Sequence, residues 1–198
     1  MPIYSVVAVK DLVIFPGVIA PVFISRQDSV KALQDAAFNN DTLVFVTAQK
    51  KNNTSSSSDI GADLYRYGTL CKILQSIRLP DGALKVILEG CWRSCVSDFY
   101  LNDGILKAEA KRVNSQENIL TKEAEALCRE IRSEFETYAA LNHRMPDEVI
   151  KSIEDIQVPG IFADIVASHS TFDFKLKQGL LEEVNVIERL EKLLSILL

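Results

Sequence analysis

The sequence predicts an α+β chain, β-rich in residues 1–114 and helical in residues 115–198. Three features carry this. Residues 68–79 and 83–89 are apolar, β-branched-rich runs joined by Pro80-Asp81-Gly82, the composition of a hairpin. Pro80 presets φ at the first corner and Gly82 can take the positive φ the turn needs. Beyond Val113-Asn114-Ser115 the apolar period changes from two to between three and four, the spacing of helices.

Taken in order, residues 4–9 predict a short strand. Residues 11–23 are apolar but interrupted by Pro16, Gly17 and Pro21, which fit neither a helix interior nor a central strand, so this segment is expected to bend between edge-type strands. Val30, Leu33, Ala36 and Ala37 give residues 25–39 a helical period, ended by Asn39-Asn40-Asp41. Residues 43–48 read as a buried strand. Residues 49–62, QKKNNTSSSSDIGA, are polar and of low complexity and are expected to form a mobile loop within one sheet. In the hairpin, Leu84, Val86 and Leu88 face one way and Lys85, Ile87 and Glu89 the other, giving one apolar and one mixed face. A separate strand is expected after Gly90, around Trp92 to Val96, and a last one over 105–111 after the turn Asn102-Asp103-Gly104.

The second part predicts a helical bundle. Leu120, Ala124, Leu127, Ile131, Phe135 and Tyr138 form one stripe. Pro146 opens a helix carrying Val149, Ile150, Ile153 and Ile156, and Pro159 opens another carrying Phe162, Ile165 and Val166. A short helix is expected over 174–182. Asn185 with Glu188 forms a capping pair for a last helix striped by Val186, Leu190, Leu193 and Leu197. That helix is still amphipathic at Leu198, as in a piece of a longer protein or a short relative of one.

Composition narrows the function. Hydrophobic content of 47% and charged content of 25% suit a folded domain with a sizeable core. No apolar run approaches the roughly 20 residues that span a bilayer, and the N-terminus lacks a basic leader and a small-residue cleavage site, so a cytoplasmic location without membrane contact is expected. A net charge of −5 argues against nucleic acid, whose binding is driven by Lys and Arg releasing counterions. Cys71, Cys91, Cys95 and Cys128 lack the second pair that a tetrahedral zinc site needs and read as buried free thiols. No G-x-x-x-x-G-K-[ST] loop is present to cradle nucleotide phosphates, and no cofactor or metal is expected. His143 reads as an exposed residue between helices, and His169 as a helix C-terminal residue favoured by the dipole. No catalytic residue is assigned.

A resemblance to a known family is carried by an ordered set of motifs: Asp11-Leu12-Val13-Ile14-Phe15-Pro16-Gly17, Pro21-Val22-Phe23-Ile24-Ser25-Arg26, Ser29-Val30-Lys31-Ala32-Leu33, Leu64-Tyr65-Arg66-Tyr67-Gly68-Thr69, Leu79-Pro80-Asp81-Gly82, Lys85-Val86 with Glu89-Gly90, and Val184-Asn185-Val186-Ile187-Glu188-Arg189-Leu190-Glu191. Together these resemble the N-terminal region of the Lon protease family. The segment Cys91-Trp92-Arg93-Ser94-Cys95 and the serine-rich loop depart from the family pattern. The resemblance implies a PUA-like pseudo-barrel followed by a helical bundle. It also implies a non-catalytic role, recognising unfolded or damaged proteins and helping to organise the hexamer of an ATP-dependent serine protease. A stand-alone interaction module of the same fold is the alternative.

For a binding role, apolar side chains in irregular backbone are the residues to examine, because a regular core hides them poorly. These are Phe15, Pro16, Val18, Ile19 and Pro21; Leu79 and Pro80 at the hairpin tip; and Phe172 and Phe174. The competing reading for each is that it packs under a loop.

Overall fold

A computed structural model describes residues 2–39, 41–50, 60–141 and 146–198. The chain divides into two units, Met1–Val113 and Asn114–Leu198, and the class is mixed α+β. The serine-rich stretch at 51–59 and His143 lie outside the described residues.

The first unit contains β1 (Ile3–Val9), β2 (Ile19–Ile24), α1 (Gln27–Asn39), β3 (Leu43–Ala48), β4 (Tyr67–Arg78), β5 (Leu84–Asn102) and β6 (Ile105–Arg112). The strands run β2-β5-β4-β3-β1-β6, and β6 pairs again with β5, so five strands close into a ring with β2 added outside it. β1 and β3 are parallel, joined through β2 and α1; the remaining pairings are antiparallel.

Period-two alternation deals successive residues to opposite faces. Val7, Val44, Val46, Val86 and Leu88 join α1 residues Val30, Leu33 and Ala36 in one cluster. Val6, Phe45, Leu70 and Val96 form another. The helical period of α1 is as expected, but its buried face is Val30, Ala32, Leu33 and Ala36, with Ala37 exposed.

The hairpin turns match their chemistry. Leu79 O accepts from Gly82 N–H at 3.0 Å and Gly82 has φ +87°, a type I turn closed by a left-handed glycine. Asp103 and Gly104 both have positive φ, 52° and 74°, as a two-residue I′ turn requires.

The expected strand break at Gly90 is corrected. β5 is one strand of 19 residues that pairs with β2 over Leu84–Glu89, with β4 from Leu84 to Cys95 through a bulge at Cys91, and with β6 from Ser94 to Asn102. Gly90 marks a close approach of two backbones. A Cβ there would lie 2.2 Å from Phe15 O, and Gly90 exchanges hydrogen bonds with Val18 O (2.9 Å) and Gly17 N–H (2.8 Å). Pro21 sits within β2, tolerated because β2 is an edge strand.

The second unit contains α2 (Lys122–Leu141), α3 (Asp147–Glu154), α4 (Pro159–His169), α5 (Phe174–Glu182) and α6 (Val186–Leu197). The expectation of a C-terminal all-α bundle is not met: α2 has 20 residues and the others only 8 to 12, so the unit is one long helix with four short ones within a mixed α+β chain. The α2 stripe also shifts. Ala124, Cys128, Ile131, Phe135 and Ala139 are buried, whereas Leu120 precedes the helix and is exposed. Thr121 Oγ1 accepts from Ala124 N–H at 3.1 Å, which starts the helix after Leu120. Ile156 falls beyond the end of α3. Asn185 caps α6 by accepting from Ile187 and Glu188 N–H.

One cation organises this unit. Arg189, 1% exposed, lies 3.1 Å from both Glu117 and Asp164 and donates to the carbonyls of Glu183, Gly160 and Val184. Ser115 hydrogen-bonds the other oxygen of Glu117. Gly160 lies close against Glu117: a Cβ there would fall 2.9 Å from the Glu117 Cα as well as onto the carboxylate that Arg189 holds. Sequence reasoning assigned Arg189 no such role, since a cation on an amphipathic helix ordinarily faces solvent.

Candidate functional site

The outer face of the β2–β5–β4 sheet follows directly from the register. Ile19, Pro21 and Phe23 of β2 stand opposite Glu89, Ile87 and Lys85 of β5. On the other side of β5 these meet Lys72, Gln75 and Ile77 of β4. The inward set, Val22, Ile24, Leu84, Val86 and Leu88, is buried in the core. A single strand alternation therefore separates a dry face from an open one.

The open face is apolar to an unusual degree. Phe23 is 65% exposed, Ile19 60% and Ile77 46%, with Pro21 exposed and Ile87 half-buried beside them. Leu74, extruded where β4 slips register between Ile73 and Gln75, is exposed as well. Charges interrupt this face without covering it: Lys85 Nζ sits 5.8 Å from the centroid of the Phe23 ring. Grouped exposed apolar side chains of this kind are less usual than single ones scattered over a surface.

The expected binding residues divide. Ile19 and Pro21 belong to this face. Pro16 and Val18 are half-buried in the approach to β2, and Leu79 (half-buried) and Pro80 (exposed) form the β4–β5 tip. Phe15 is corrected: it is fully buried, held against Gly90 by the backbone approach described above. Phe174 is also corrected, 5% exposed as the first residue of α5 in the helical unit. Phe172 is half-buried with its ring 5.7 Å from that of Tyr138. Neither of these two lies in the first unit with the open face.

Phe23, Leu74, Ile77 and Ile87 were missed. The alternation Lys85, Ile87, Glu89 was readable in the sequence, and its extension to Ile19-x-Pro21-x-Phe23 was available once β2 is recognised as a strand. The prolines obscured that, because they argue against a strand unless it lies at an edge.

Burial and the neighbouring Glu89 charge push the Cys91 thiol up, and burial raises Cys71 further. All four cysteines are free, but only Cys71 and Cys128 are buried, Cys91 and Cys95 being half-buried; among the described residues no group of three or more His, Cys, Asp or Glu is placed to hold a metal. His169 ends α4 as expected, but the dipole does not dominate: partial burial, then the Lys177 charge, holds it below the ordinary histidine value.

The model of the ATP-dependent protease La (LON) substrate-binding domain matches residues 3–198. The chain belongs to this family. Among relatives of the Lon substrate-binding domain, the Lon protease of Azospirillum brasilense is 39% identical over 190 residues, covering 96% of this chain and 23% of that protein. The Lon protease of Escherichia coli strain K12 is 36% identical over 193 residues, covering 97% of this chain and 24% of that protein. The chain thus spans about a quarter of the length of these relatives. The solved N-terminal domain of the Mycobacterium avium complex Lon protease superposes with a TM-score of 0.81 at 23% identity, covering 99% of this chain and 98% of that one. The Lon N-terminal domain protein of Xanthomonas campestris gives 0.68 at 16% identity, covering 98% of each. These two likenesses bear on the fold alone. No helix among the described residues is long and apolar enough to cross a membrane.

Proposed function

We propose that this chain is the non-catalytic substrate-recognition part of a cytoplasmic ATP-dependent protease, and that the outer face of β2–β5–β4 captures unfolded or damaged polypeptides. The single observation that carries this is the exposed set Ile19, Phe23 and Ile77 on the outward positions of neighbouring strands, with Leu74 exposed at the β4 bulge. Native proteins bury their apolar residues, whereas unfolded chains offer them, so an open apolar face discriminates by folding state rather than by sequence. ATPase and protease chemistry would reside outside these 198 residues, consistent with the quarter-length coverage of the relatives.

One such face binds weakly. If copies surround a common entrance in a hexamer, a chain held by one meets the next at high effective concentration, and avidity rises without a tight single site. The test compares a permanently unfolded, fluorescently labelled protein with its native form by anisotropy, using the chain and a Phe23→Ser/Ile77→Ser variant. The expected result is binding of the unfolded form only, weakened in the variant at unchanged circular dichroism. Equal titration of native and unfolded ligand rejects the reading.

A further inference from the structure

The free edge of β2 offers more than side chains. Gly90 N–H donates to Val18 O at 2.9 Å, while Gly90 O accepts from Gly17 N–H and Val18 N–H turns to Phe15 O; the bond to Val18 O sets the phase of the ladder and makes 19/89 a non-hydrogen-bonded pair. Alternation then turns the backbone groups of Ala20, Val22 and Ile24 toward β5 and those of Ile19, Pro21 and Phe23 away from it. Pro21, which has no N–H, occupies an outward position, as this assignment requires. The outward row therefore offers the N–H and C=O of Ile19 and Phe23 and the C=O of Pro21. β2 ends the strand order, and no backbone partner for this row occurs among the described residues.

A cleft of about 350 Å³ is lined by Pro21 and Phe23 of that edge together with Val9, Lys10, Leu12 and Arg26. Lys10 and Arg26 are exposed and form no ion pair among the described residues, and no carboxylate lines the cleft. In a chain of net charge −5, this is a local cationic slot next to an unfilled strand position.

We infer that β2 accepts an added strand: an extended apolar polypeptide segment carrying an acidic residue, paired to Ile19 and Phe23 through backbone hydrogen bonds with its carboxylate at Lys10 and Arg26. This rests on the capture reading above and specifies its mode. Strand addition draws affinity from main-chain bonds, which every extended chain supplies, and selectivity from what lies along the slot. Pro21 removes one donor from the row. It keeps pairing short, which suits release and discourages edge-to-edge growth between copies.

The test uses the 198-residue chain and four short peptides. The first alternates Val and Thr beside two Glu; the second replaces the Glu by Lys; the third and fourth carry N-methyl groups on alternate amides, one on each edge of the acidic peptide. Binding of the acidic peptide is expected to slow exchange of the Ile19 and Phe23 amides. N-methylation of one edge is expected to weaken it by about tenfold, the loss of one or two hydrogen bonds, and of the other edge far less. Lys10→Glu/Arg26→Glu is expected to reverse the order of the acidic and basic peptides.

Equal affinity of both methylated forms overturns strand addition. If unfolded protein still binds in that case, the side-chain capture reading survives. If neither peptide nor unfolded protein binds, both fall. Slowed exchange at Ile19 and Phe23 that grows with protein concentration alone overturns the proposal in favour of a second copy on the edge.

Discussion

Replacing Arg189 by Met should cost the helical unit about 3–5 kcal/mol, the range for breaking a buried ion pair by removing one partner. The magnitude follows from what is left behind. Asp164, 2% exposed in its side chain, would keep a charge with no cation 3.1 Å away, and the Gly160 and Glu183 carbonyls would each lose a donor. Met fills much of the same volume, so the loss is one of charge compensation rather than of packing. With a slope near 2 kcal/mol per molar urea, the midpoint should fall by about 2 M. Trp92 is the sole tryptophan and belongs to the first unit, so its emission reports that unit while helical circular dichroism is weighted toward the second.

One control sharpens the Arg189 experiment. Arg189→Met with Asp164→Leu should recover much of the loss, because an apolar replacement of the whole pair avoids the uncompensated charge. A midpoint within experimental error of the parent would refute the reasoning.

Phe15→Ser should destabilise the first unit by about 3–5 kcal/mol, as for other buried Phe truncations, whereas Ile19→Ser should stay within about 0.5 kcal/mol and weaken only capture; urea titration followed by Trp92 emission separates them. Gly90→Ala forces a Cβ against Phe15 O and should cost about 1–3 kcal/mol on the same readout. At Asp35, burial alone would raise the pKa, but hydrogen bonds from Ser5 and Asn39 and the Lys107 ion pair at 3.0 Å outweigh it and hold the carboxyl below its ordinary 3.8. A depressed folded value means stability is present above the unfolded pKa and lost as pH falls through the folded one. Urea midpoints measured between about pH 5 and pH 3 should decline less steeply in Asp35→Asn than in the parent.

Much of the architecture was legible because local chemistry and fold agreed. The Pro80-Asp81-Gly82 turn, the Asn102-Asp103-Gly104 turn, the proline at the start of α4 and the Asn185 cap each satisfy a backbone need with the one residue type suited to it. Gly90 misled because a glycine that admits another backbone and a glycine that turns the chain look alike in sequence. The α2 stripe misled because Leu120 shares the period but lies before the Thr121 cap. Phe15 and Phe23 are both aromatic and close to a proline, yet one is sealed and the other open. Only the pairing of β2 with β5 decides which. The apolar face is a property of three strands brought side by side, and no single stretch of sequence carries it.

Because β5 serves two sets of neighbours along one uninterrupted length, the spacing of its residues is shared between them. Deleting one residue between Leu84 and Glu89, away from the bulge at Cys91, would force the segments on its two sides to rotate by one position relative to one another, turning the greasy exterior inward or driving Val86 out toward water. Length changes in this protein's descendants should thus collect at the two hairpin tips, while the long ribbon between them keeps its residue count however freely its side chains drift.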